Sequence, residues 1–114
     1  MSSVWESFLN AAQQLSSAGP IKQRLAAAYA THLAGLPTDD IPREFRDEFT
    51  AIGSSLTAVR PLRGETAVQA SIRKMSDHDA AGHAQRIVSL LGALIRVQVQ
   101  PRQPILRAVN SSDD

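Results

Sequence analysis

Apolar side chains recur every three or four positions along most of this chain, the period of amphipathic helices rather than strands. Val4 or Trp5, Phe8, Ala12 and Leu15 share one helical face, and Ser3 with Glu6 three residues on forms a capping box at its start. The run stops at Gly19-Pro20, which predicts a first helix over about residues 4–17. Pro20 suits the opening of a second helix, where its missing N–H is no loss. Ile21, Leu25, Ala28 or Tyr29, His32 or Leu33, and Leu36 follow at helical spacing, until Gly35 and Pro37 close the run. Thr38-Asp39-Asp40 then brings negative charge to the start of a third helix, where it complements the dipole, and Pro42 fits the first turn. Ile41, Phe45, Phe49, Ile52 and Leu56 make the clearest stripe in the chain.

Serine, threonine, Arg60-Pro61 and Gly64 between Gly53 and Gly64 supply a turn-rich connection that divides the chain. Residues 66–75 fit two patterns: Val68, Ala70 and Ile72 alternate as in a strand, whereas Val68, Ile72 and Met75 fit a helix face. A lone strand would have no partner, so a short helix is the better reading. Ser76 with Asp77 and Asp79 opens a long helix over about 77–98. Within it Ile87, Val88, Leu90, Leu91, Leu94, Ile95 and Val97 occupy most of the circumference and leave a narrow strip of Ser89, Ala93 and Arg96. A helix apolar nearly all round is covered by other helices or by another chain.

The expected fold is therefore all-α, a small bundle of four to five helices with the long helix of about 77–98 at its centre. Residues 1–100 form one domain and 101–114 a tail, in which Ile105, Leu106 and Val109 have the chemistry to dock. Phe8, Leu15, Leu25, Leu33, Phe45, Phe49, Ile52, Ile87, Leu91 and Leu94 are the expected core.

Composition sharpens this picture in one respect. Of the 114 residues 17 are Ala and only 4% are aromatic, so the core buries little area per residue and self-association would help to stabilise it. Twelve basic and 11 acidic side chains nearly balance, which argues against a bulk polyanion binder. The absence of Cys excludes disulfides and thiolate chemistry and fits a reducing compartment. The start of the chain lacks a signal-peptide pattern, and the longest nearly apolar stretch, 87–95, is about half of the roughly 20 residues a bilayer span requires. A cytoplasmic protein without a membrane segment is expected.

Candidate chemistry is sparse. Asp79 and His83 lie four apart on a helix, with His78 adjacent, but no further ligand stands at a telling spacing, so no metal or other cofactor is expected. No nucleophile elbow, phosphate loop or dinucleotide fingerprint occurs, and no catalytic residue is assigned. Charge is unevenly placed: residues 1–57 hold four basic and six acidic side chains, residues 58–114 eight and five. Arg60, Arg63, Arg73 and Lys74 flank the central connection as a possible patch for phosphate or an acidic partner. A helix-turn-helix reading across 66–75 and 77 onward fits poorly, because Asp77 and Asp79 would face phosphates.

The leading expectation is a non-enzymatic helical module that binds protein, a homodimeric accessory or regulatory subunit using Ile87, Val88, Leu90, Leu91, Leu94 and Ile95. The alternative is a nucleic-acid-binding regulator using Arg60, Arg63, Arg73 and Lys74, and a small enzyme of unstated reaction is the third.

Overall fold

The computed structural model describes residues 3–99, all helix, turn or loop. Five α-helices pack together: α1 (Val4–Leu15), α2 (Ile21–Ala28), α3 (Arg46–Leu56), α4 (Ala67–Lys74) and α5 (Asp77–Val99). The all-α bundle is as the periodicity requires, and the differences lie within the second and third predicted helices. The suggested tail, 101–114, lies outside the described residues.

Local chemistry fixes the helix starts. The Ser3 hydroxyl accepts from the Glu6 N–H, and the Glu6 carboxylate accepts from the Ser3 N–H at 2.9 Å. Thr66 and Gln69 form the same reciprocal pair at α4, at 2.9 and 3.0 Å. Ser76 Oγ accepts from the Asp79 N–H at α5. Each device satisfies N–H groups that have no partner within the helix.

The second predicted helix is shorter and changes form. After Ala28 the backbone widens into a π-helical turn over Tyr29–Leu33, closed by the Ala34 N–H donating to the Tyr29 carbonyl at 2.8 Å. The turn buries Ala28, Tyr29 and Leu33 together. Pro20 caps α2 rather than occupying its first position. Two 3-10 turns, Thr38–Asp40 and Arg43–Phe45, replace the expected start of the third helix, and α3 begins only at Arg46. Arg46 braces this approach by donating to the carbonyls of Ile41 (2.7 Å) and Asp39 (3.0 Å).

The core runs through Phe8, Leu25, Leu33, Ile52, Leu56 and Ile87, all essentially inaccessible. Phe8 of α1 meets Phe49 of α3 with ring centroids 6.0 Å apart and planes at 60°, the tilted arrangement aromatic quadrupoles favour. Nine of the ten expected core residues are buried. Phe45 is the correction: it sits in the 3-10 turn ahead of α3, off the helical register, and is half-buried. Tyr29, Ile41, Leu56, Ile72 and Leu90 join the core as well.

α5 packs against α1, α2 and α3, and 23 residues give it a length of about 34 Å. Its cover is one-sided. Ile87, Leu90, Leu91 and Leu94 are buried, whereas Val88 and Val97 are 47% and 42% exposed. The long helix is thus central, as expected, with one buried side and one open side.

Candidate functional site

A concavity of about 680 Å³ lies between α1, α2 and α5. Its formation begins with the turn between the first two helices. Gly19 takes φ +110°, a conformation that L side chains rarely adopt, so α2 folds back beside the end of α1. Arg24 locks the corner by donating to the carbonyls of Leu15 (2.6 Å) and Gly19 (2.8 Å). The last turn of α1 has no basic residue of its own, so this guanidinium also supplies the cation its dipole favours.

Ala12 and Leu15 of α1 and Ile21 of α2 form one wall of the groove. The opposite wall is Ala81, Ala84 and Val88 of α5, where two Ala in succession leave the space that larger side chains would fill. Ser16, Arg24, Gln85 and Ser89 complete the lining with polar groups. The result is an open apolar floor with a mostly neutral rim, suited to apolar side chains from another segment.

Only part of the expected interface faces this groove. Ile87, Leu90, Leu91 and Leu94 point into the chain's own core, and Ile95 is half-buried. Val88 lines the groove. A partner can therefore meet α5 only along the open side that carries Val88.

The four basic residues are not equivalent. Arg73 is held in a two-point pair by Glu65, with contacts of 2.7 and 3.2 Å, and Glu65 also accepts the Leu62 N–H. The Arg73 hydrogen bond, then that of Leu62, holds the Glu65 carboxyl below its ordinary value. Lys22 donates to the Arg73 carbonyl across the α2–α4 contact. Arg60 and Arg63 are exposed in the connection and Lys74 at the end of α4. Arg73 is thus neutralised and fastens the connection to α4, which leaves three of the four charges for any anion.

His78, Asp79 and His83 border a hollow of about 300 Å³ with Met75, Gly82 and Arg86. Among the described residues no three His, Cys, Asp or Glu side chains gather to hold a metal ion. Arg86 instead reaches α3, pairing with both carboxylate oxygens of Glu48 at 2.8 and 3.3 Å, while its other terminal nitrogen lies 3.4 Å from His83 Nδ1. Burial, then the Arg86 charge, pushes the His83 pKa down, and Asp79 partly opposes the shift. The cluster is a polar clasp between α3 and α5 with a neutral imidazole at neutral pH.

Ser71 was not signalled by the sequence pattern. It is buried, donates to the Ala67 carbonyl at 2.8 Å and accepts the Val59 N–H at 2.9 Å, so one hydroxyl ties the connection to α4. Comparison with protein-family models, curated proteins and solved structures finds no match for this chain. Among the described residues no helix is long and apolar enough to cross a membrane.

Proposed function

We propose that this chain is a non-enzymatic helical interaction module whose docking face is the groove between α1, α2 and α5, and that it works as a homodimeric accessory or regulatory subunit. One observation carries the reading: a valine 47% exposed beside an open apolar groove, in a small bundle where the three leucines of α5 and Ile87 are covered. A contact of this kind is driven by apolar burial, worth roughly 25 cal/mol per Å² removed from water, and so depends little on salt. In a domain this rich in Ala, association also adds stability through mass action.

Light scattering on a sizing column, at rising concentration and at low and moderate salt, tests the reading. The expected mass climbs from one chain towards two at both salts, and Val88→Arg holds it at one chain without altering the helical circular dichroism. A wild-type mass of one chain up to millimolar concentration would refute the homodimer. Association abolished by salt would instead favour the charged surface of Arg60, Arg63 and Lys74.

A further inference from the structure

The connection between α3 and α4 is held more firmly than its composition suggests. Residues 62–65 form a tight turn in which the Leu62 carbonyl accepts the Glu65 N–H at 3.0 Å and the Leu62 N–H donates to the Glu65 carboxylate at 3.0 Å. Gly64, at φ +82°, supplies the left-handed position that such a turn needs. Arg73 holds Glu65 from α4, and the Ser71 hydroxyl holds the Val59 N–H. This frame displays Leu62, 62% exposed, between the exposed Arg60 and Arg63. At that exposure the leucine contributes little to folding, and a turn already fixed loses little freedom when it binds.

We propose that this turn docks on the acidic 38–47 segment of a second copy, so that chains meet head to tail through a contact separate from the groove. It does not depend on the groove reading, because neither α3 nor the connection lines that opening.

Charge is the first support. Among the described residues the two ion pairs are Arg73–Glu65 and Arg86–Glu48, so Arg60 and Arg63 have no carboxylate at hand. Asp39, Asp40, Glu44 and Asp47 are exposed and equally unpaired. Arg43 and Arg46 lie among them, and Arg46 is turned to the carbonyls of Ile41 and Asp39. Four carboxylates against two arginines leave the segment a net charge equal and opposite to that of the turn.

Separation is the second. The acidic residues precede α3 or lie in its first turn, whereas the basic turn follows its last residue, Leu56. From Asp47 to Leu56 the helix axis runs about 14 Å, more than the roughly 10 Å over which exposed charges act at 0.1 M salt. Within one chain the two surfaces leave each other unpaired, and each is free for its complement on the next. Apolar surface is the third. Exposed Pro37 and half-buried Pro42 bracket Asp39 and Asp40, a pad against which Leu62 can rest while its neighbouring arginines meet the carboxylates.

The two surfaces differ, so the contact is heterologous: a copy that uses its turn still offers its acidic segment to another. Exposed ion pairs add little individually, and this contact alone leaves dilute protein as single chains by mass. Brief encounters of this kind are read by paramagnetic broadening between chains.

The chain has no cysteine, so a nitroxide can be attached at one chosen position. Full-length Val88→Arg protein, in which the groove contact is disabled, is spin-labelled at Ala58→Cys and mixed with isotope-labelled Val88→Arg protein. Every substituted side chain in the experiment is exposed, and helical circular dichroism checks each fold. At about 20 mM salt the amides of 38–47 in the isotope-labelled copy broaden severalfold more than those of α1, α2 and α5, and at about 500 mM salt the difference disappears. It is also lost when the spin-labelled chain carries Arg60→Glu with Arg63→Glu, and when the isotope-labelled chain carries Asp39→Lys with Asp40→Lys. Combining the two reversed chains restores it.

No broadening between chains, or broadening spread evenly over the surface, overturns the proposal. Broadening of 38–47 that survives either charge reversal does so too, since the arginines would then not carry the contact. Failure of the groove reading is seen separately, as a wild-type mass that stays at one chain.

Discussion

Gly53 sits inside α3 with Tyr29 of the π-helical turn directly above it, and an added Cβ would stand 2.9 Å from the Tyr29 hydroxyl. Replacing Gly53 by Ala therefore sets two effects against each other. Alanine in a helix interior is favoured over glycine by about 0.8–1 kcal/mol. The new methyl, however, lies several tenths of an ångström inside normal contact, and Tyr29, only 6% exposed, cannot swing away without shifting its neighbours. Overpacking of this kind costs about 1–3 kcal/mol. Gly53→Ala is accordingly expected to be neutral to destabilising, by about 0–2 kcal/mol, despite the better helix former. Tyr29→Phe removes the obstructing oxygen and should reverse the sign. In that background Gly53→Ala should stabilise by nearly the full propensity term, raising the melting temperature by roughly 4–8 °C for a domain of this size. The assay is a double-mutant cycle by thermal and urea unfolding, with an expected coupling of about 1–3 kcal/mol between the two sites. Equal stabilisation by Gly53→Ala in both backgrounds would refute the reasoning, since the tyrosine would then not be fixed over the glycine.

Two further outcomes follow from the polar contacts. Ser71→Ala leaves the Val59 N–H without its acceptor and should cost about 1–2 kcal/mol, with faster hydrogen exchange at the Val59 amide as the local signature; unchanged exchange there would refute the tie. Stability should fall on mild acidification through His83. Its folded pKa lies below the ordinary 6.5, so the unfolded chain binds the proton more readily, and the stability present above pH 6.5 is lost as pH falls through the lowered value. Glu48 acts in the same direction further down, because its Arg86 hydrogen bond lowers its pKa and that contribution fades as pH drops below 4.5. His83→Gln should flatten the first step and leave the second, as read by urea midpoints from about pH 2.5 to 8.

The helices were legible because their starts and stops are local. Ser3 with Glu6, Gly19-Pro20 and the stripe through Phe49, Ile52 and Leu56 each constrain only neighbouring backbone, and the folded chain uses all of them. The Thr66–Gln69 box was equally available and would have decided between strand and helix for 66–75. The π-helical turn left only a trace, the choice between Ala28 and Tyr29 and between His32 and Leu33. A register that slips by one position is what a widened turn produces, but periodicity alone cannot tell it from a broad apolar face. The groove was illegible for a different reason. Its walls come from α1, α2 and α5, and an α5 apolar on most sides does not reveal which side its neighbours take. The expected interface therefore fell largely on the leucines that close the core, while Val88 alone of that set lines the opening.

The packing of α1 against α5 joins the first and last described helices, and this orders events during synthesis. Helical hydrogen bonds form on the microsecond scale, yet α2, with buried Leu25, waits for α5, whose buried Leu90 and Leu94 come some 65–69 residues later in the chain. At about 5–20 residues per second, that interval is roughly 3–14 seconds, during which the apolar faces of two helices meet water or whatever protein binds nascent chains. Stalled or shortened products that stop before α5 would carry those faces permanently, so this small bundle depends on its closing helix for solubility as well as for stability.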